Sequence, residues 1–203
     1  MAIDSVRINQ FWNWFDQNSI KLQDWLNHGD ANALAKEMTP RIKALHPDFS
    51  WEIGPGKEKE YSLTISAAKN RELRPETSKI ISLAVNSPHW EFYPARQPRE
   101  VPPQVELISK QLSFRTANWH FHAVPDRKTN RVDLFVINHQ LAQVAENDAL
   151  SAVFLFLDAA LGEDLVEEWI GNIEILDEAG ALSPVYPMLE IRSFLGEFES
   201  DRS

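Results

Sequence analysis

Between Pro94 and Pro103 the sequence runs Pro-Ala-Arg-Gln-Pro-Arg-Glu-Val-Pro-Pro, four prolines in ten residues. Proline has no amide hydrogen and its ring clashes with the preceding helical turn, so neither a helix nor a central strand can cross this stretch. The chain is therefore divided into residues 1–93, a connection at 94–104, and residues 105–203, the two parts being expected to join in one compact domain. With 203 residues, 43% of them apolar, there is enough chain to bury a core without cross-links.

Ahead of the prolines, residues 4–28 have the helical period. Ile8, Phe11, Trp12, Phe15, Leu22 and Leu26 fall on one side, and Asp4 or Ser5 can cap the start. Gly29 can end this helix and Asp30 can cap a second one reaching His46. Thr39-Pro40 inside that second pattern predicts a kink or a restart. Then the period changes. Phe49 to Ile53 and Tyr61 to Ala67, joined through Gly54-Pro55-Gly56, read as two strands, residues 71–86 as a helix and His89 to Tyr93 as a third strand.

The same order recurs after the prolines. Asn118 to Val124 and Arg131 to Asn138 form a hairpin, Asp148 to Leu161 and Glu163 to Ile170 are helices, and Asn172 to Leu176 is a strand, with a last helix over Tyr186 to Phe198. The fold class is α+β: an N-terminal helical hairpin followed by two strand-strand-helix-strand units with mostly antiparallel sheet.

Three patches carry a resemblance. Phe11-Trp-Asn-Trp-Phe15, Leu45-His-Pro-Asp-Phe-Ser-Trp-Glu-Ile-Gly-Pro-Gly56, and Leu157-Asp-Ala-Ala-Leu-Gly-Glu-Asp-Leu-Val-Glu-Glu-Trp-Ile-Gly171 resemble a family of uncharacterised bacterial cytoplasmic proteins. The resemblance implies a bacterial cytoplasmic protein and brings no activity and no catalytic residue with it.

Charge is distributed unevenly. Residues 1–131 hold 18 basic and 15 acidic side chains, whereas residues 132–191 hold 12 acidic and none basic. Either this block docks a basic partner, since such a field steers association, or it faces water or folds against the more basic part. A net charge of −10 argues against binding to nucleic acid or to an anionic membrane. The longest apolar run, Ala152 to Leu157, is far short of a membrane span, and the opening MAIDSVRINQ does not read as a leader. The expected location is the cytoplasm. The chain contains no cysteine, which excludes thiolate nucleophiles, cysteine zinc sites and disulfides. Glycine-rich phosphate loops, HExxH and GxSxG are all missing, and no cofactor is expected.

A few residues remain as candidates for chemistry. His120 and His122 alternate on a strand, so both rings can face one ion, with Asp126 or His139 as third ligand; the alternative is the polar side of a half-exposed sheet. His46, at a helix end before Pro47, reads as structural. Asp158 interrupts a helix that looks apolar all round. If buried it is either tied to an arginine, to the Trp169 indole or to free helix amides, or it is a general acid or base. Glu163, Asp164, Glu167 and Glu168 crowd one short helix and make the candidate docking surface. Trp14 and Trp25 flank the apolar stripe of the first helix, and either pack under the second helix or form an exposed aromatic patch. The function expected from these features is a non-enzymatic, cytoplasmic protein-binding or adaptor module with an acidic C-terminal surface. The alternative is a small metal-dependent hydrolase using His120 and His122, and a homo-oligomer covering the acidic block is a third arrangement.

Overall fold

The computed structural model describes residues 3–68 and 70–200. Elements are numbered in chain order. The chain divides into two compact units, Met1–Arg96 and Gln97–Ser203, with the boundary inside the proline-rich segment. The carbonyls of that segment are used although it offers few donors. Pro102 accepts the Thr116 hydroxyl at 2.8 Å and Pro103 accepts the Thr116 amide at 3.1 Å.

In the first unit, α1 (Ser5–Asn27) starts where the Asp4 carboxylate accepts the Val6 amide at 3.0 Å. It buries Ile8, Phe11, Trp12, Phe15 and Leu22, the stripe read from the sequence, while Leu26 packs against the core from its margin. Each such side chain contributes about 1.5–3 kcal/mol when removed from water. The Trp12 indole is not left with an orphan donor: it gives its N–H to the Ile80 carbonyl at 2.8 Å. Gly29, at φ +70°, reverses the chain, and Asp30 caps α2 (Ala31–Leu45) through the Ala33 amide at 2.9 Å. Pro40 lies inside α2, which runs through it without the restart that is one of the two expectations for Thr39-Pro40. It deprives the carbonyl four residues earlier of a donor, and burial of Leu34, Met38, Ile42 and Leu45 offsets that loss. The Thr39 hydroxyl, just before Pro40, accepts the Trp51 indole N–H at 3.1 Å.

Strands β1 (Ser50–Pro55) and β2 (Tyr61–Ser66) pair antiparallel, and β3 (Trp90–Tyr93) lies parallel beside β2, in the order β1-β2-β3. Between β2 and β3 runs α3 (Arg74–Ser82), shorter than the sequence pattern, preceded by a single tight turn over Arg71–Leu73. The helix stops once Thr77 and Ile80 are buried, because the chain must then travel back to set Trp90 opposite Tyr61. Aromatic edges knit helix to sheet: Phe15 meets Trp90 at 5.1 Å and Trp12 meets Phe92 at 4.7 Å, both edge-on.

The second unit opens with a hairpin absent from the sequence reading, β4 (Gln104–Leu107) and β5 (Leu112–Arg115). Its turn uses Gln111 at φ +55°, a residue with no turn signature. Strands β6 (His120–Asp126) and β7 (Arg131–Ile137) then pair antiparallel. Three helices follow, α4 (His139–Ala142), α5 (Glu146–Leu161) and α6 (Glu163–Trp169), before β8 (Ile170–Leu176) returns parallel to β7. The two-residue β9 (Tyr186–Pro187) adds to the other side of β6, giving the order β8-β7-β6-β9, with β8 at the edge. The connection β1-β2-α3-β3 and the connection from β6 to β8 thus share one plan, two antiparallel strands, helix, and a third strand parallel to the second. The last helix, α7 (Ile191–Ser200), starts later than expected, because residues 186–187 pair with β6 and Met188–Glu190 form a tight turn first.

Helix α5 is not apolar on every side. Asn147, Ser151 and Leu155 form an exposed stripe, while Ala152, Val153, Phe156, Leu157 and Leu161 are buried. They pack with Trp119 just ahead of β6, with Phe121, Leu134 and Val136 from the sheet and with Ile191.

The β1–β2 loop is held by one carboxylate. Glu91 in β3 accepts the amide of Lys57, the amide of Glu58 at 3.0 Å and the amide of Lys59 at 3.2 Å. Gly56 is required there, since a Cβ would collide with the Lys59 carbonyl and come within 2.7 Å of the Glu91 carboxylate. Burial pushes the Glu91 carboxyl up, but the Lys57 and Glu58 amides, the Tyr93 hydroxyl and the Lys59 amide together hold it below the usual carboxylate range. Desolvation and the Glu91 hydrogen bond and charge push the Tyr93 phenol up to about 12. A carboxyl lowered in the folded state adds stability above its unfolded value, and that stability is lost as pH falls through the folded value. Glu91→Gln should therefore cost about 1 kcal/mol at neutral pH and progressively less in acid. The Tyr93 phenol should return toward 10.0 in that variant, which spectrophotometric titration measures.

Candidate functional site

The register of the four-stranded sheet gathers polar residues at one end. His120, the first residue of β6, lies opposite Ile137, the last of β7, and Ile137 lies beside Leu176, the last of β8. The residues next in the chain, Asn138 and His139 after β7 and Asp177 after β8, are therefore brought together with His120. Arg115, at the end of β5, and Asn118 complete a cleft of about 670 Å³ in which Ile137 is the one apolar residue. Asp177 Oδ1 is 2.6 Å from His139 Nδ1. The His120 Nδ1 faces the Asn118 carbonyl at 3.2 Å. Asn138 is buried and committed: its Oδ1 accepts the Leu141 amide at 3.0 Å, starting α4, and its Nδ2 reaches the Asn118 carbonyl at 3.4 Å.

His120 and His122 lie on the same side of β6, opposite buried Phe121, as the strand period requires. Their surroundings differ. His122 points its Nδ1 at the Pro184 carbonyl, 2.7 Å away, and lies beside the Phe135 ring, whereas His120 joins the cleft with His139. Asp126 sits at the far end of β6, where it accepts the Lys128 amide and the Thr129 hydroxyl at 2.9 and 2.7 Å. The Thr129 hydroxyl above all, then the Lys128 amide, hold its carboxyl below the usual range, against a small opposing effect of burial. Among the described residues no group of three or more histidine and carboxylate side chains is arranged to hold a metal ion. His46 ends α2 and accepts the Asp48 amide at 3.2 Å.

The acidic helix differs most from expectation. Of its four carboxylates, Asp164 and Glu168 are exposed, Glu167 is half-buried, and Glu163 is fully buried at 0% exposure. Glu163 thus does not belong to any partner-facing surface. The reason is the abrupt corner between the helices: Gly162, at φ +80°, is at once the end of α5 and the cap of α6, so α6 starts with Glu163 against the core while Asp164 faces water. Asp158 is buried as expected, at 6% exposure, and both Asp158 and Glu163 are held by interactions inside the folded chain. The other end of α6 is closed by Arg131, whose guanidinium donates to the carbonyls of Glu167 at 2.7 Å and Ile170 at 3.4 Å.

Across residues 132–191, seven acidic side chains are exposed: Glu146, Asp164, Glu168, Glu174, Asp177, Glu178 and Glu190. They are spread over helices, the edge strand and loops rather than concentrated on α6. Lys110 approaches Asp148 at 3.5 Å, so part of the acidic block meets the basic residues that precede it in the same unit.

Trp14 and Trp25 are both half-buried against the core of the first unit. Three helical turns, about 16 Å, separate them along α1, so they do not form one patch. The Arg41 guanidinium lies over Trp14 at 4.0 Å, beside a groove of about 500 Å³ that also includes Arg7, and Lys21 lies over Trp25 at 4.4 Å.

Sequence reasoning named His120 and His139 but missed Arg115 and Asp177. The signal that could have found Asp177 was its place directly after a strand parallel to β7, the position that faces His139. Among the described residues, no helix is long and apolar enough to cross a membrane. Compared with protein-family models, with curated proteins and with solved structures, the chain matches none.

Burial separates the acidic residues into two groups with different expected behaviour. Asp158→Ala and Glu163→Ala should each lower the unfolding free energy by about 2–4 kcal/mol, because each removes a carboxylate from a desolvated arrangement. Glu168→Gln should stay within about 0.5 kcal/mol of the parent. Urea denaturation of the three variants measures the contrast.

Proposed function

We propose that the chain is a non-enzymatic, cytoplasmic protein-binding module whose second unit docks a basic protein surface. The observation supporting this reading is the segregation of charge between the units. Met1–Arg96 carries twelve basic and twelve acidic residues, whereas Gln97–Ser203 carries eight basic and eighteen acidic, so the whole net charge of −10 belongs to the second unit. A field of that sign attracts a basic partner from a distance and repels acidic ones. The surface is drawn from the exposed carboxylates, above all Glu168, Glu174, Glu178 and Glu190, and excludes Glu163.

The test is affinity capture with the parent chain and with a variant carrying Glu168→Gln, Glu174→Gln, Glu178→Gln and Glu190→Gln. A defined basic protein should be held at roughly 0.05 M salt, released at roughly 0.5 M, and lost in the variant at both. Equal capture by parent and variant would sink the reading.

A further inference from the structure

We propose that the cleft at the end of the four-stranded sheet binds a phosphate-bearing small polar molecule, with Arg115, His120 and His139 as its anion-holding groups. The three side chains come from three separate elements, the end of β5, the start of β6 and the start of α4. Donors carried by separate elements suit a tetrahedral anion, which offers acceptors in several directions, better than a planar carboxylate.

The charged and titratable groups of the cleft are Arg115, His120, His139 and Asp177. Asp177 is committed to His139 at 2.6 Å, and Arg115 has no ion-pair partner among the described residues. Its guanidinium is exposed at the rim of the cleft, where an anion can reach it. The lining also decides against an apolar or aromatic ligand, since Ile137 shares it with polar and charged residues alone. The side-chain amides of Asn118 and Gln140 suit the hydroxyls of a small phosphate ester.

The imidazole geometry adds a further property. A carbonyl oxygen or a carboxylate at Nδ1 requires that nitrogen to carry hydrogen, so the neutral ring presents Nε2 as an acceptor. Nε2 becomes a donor to an anion only when the ring takes up a proton. Anion binding in this cleft is therefore coupled to proton uptake and tightens as pH falls.

Sulfate is the probe of choice, being a tetrahedral dianion whose own charge does not change across the range used. The experiment follows the ring signals of all six histidines by NMR during sulfate titration of the full chain, at about pH 6 and about pH 8. His120 and His139 should shift with a saturable curve, at least about tenfold tighter at the lower pH. His28, His46 and His89 should report only ionic strength. Arg115→Ala, a change at an exposed position, should weaken binding about tenfold without changing the melting temperature. Acetate should not saturate the cleft over the same range. Unsaturable shifts, equal shifts at all six rings, or an unchanged curve in Arg115→Ala would each overturn the proposal. Inorganic phosphate and a sugar phosphate then compare the bare anion with its ester, and tighter binding of the ester supports the small-molecule assignment. Binding no tighter than phosphate overturns it.

Discussion

Two carboxylates buried five positions apart set the terms on which the second unit folds. Asp158 ends the apolar run of α5, and Glu163 begins α6 directly after Gly162. An unpartnered carboxylate in such surroundings costs several kcal/mol, so the corner is stable only with its interactions complete. Everything adjoining it is correspondingly constrained. The α5 side chains that pack on β6 and β7 fix where the corner lies, Arg131 at the start of β7 holds the far end of α6, and β8 follows α6 without a linking loop. The backbone of Arg99, just past the proline cluster, donates to the Ala159 carbonyl at 2.8 Å, tying the entry of the unit to the same turn of helix.

The two units use one connection for different ends. In the first, β3 returns beside β2 to supply Trp90 to the aromatic core and Glu91 to the loop above it, so the returning strand serves packing. In the second, the returning strand also delivers Asp177 to the end of the sheet, where the start of β6 and the end of β7 already present polar side chains. A parallel return places two chain exits side by side, and the residues after those exits are not needed for pairing. That leaves them available for chemistry, and it explains why the polar cleft forms at this end of the sheet.

Much of the architecture is readable from residue order. Caps at Asp4 and Asp30, the stripe from Ile8 to Leu22, and the pair of strands that follows Phe49 each follow from local physics and hold in the fold. The exceptions are tertiary. Pro40 is tolerated because the buried side chains around it outweigh one lost hydrogen bond, and β4–β5 turn on a glutamine that no turn rule singles out. A run of acids beside a glycine reads as solvated, whereas Glu163 is buried by the corner at Gly162, which local sequence does not announce. His120, His139 and Asp177 come together through strand register, and register between distant strands is written in no short motif.

Among the described residues, strand β8 pairs with β7 alone and so forms an edge of the sheet. Such an edge is a template for another strand, and this one carries Glu174 within it and Asp177 and Glu178 just beyond. The carboxylates therefore have a second consequence, unrelated to any partner: like charges along the edge oppose its pairing with a copy of itself. The edge that a returning parallel strand leaves open is thus guarded by the same acidic residues that make this end of the sheet polar.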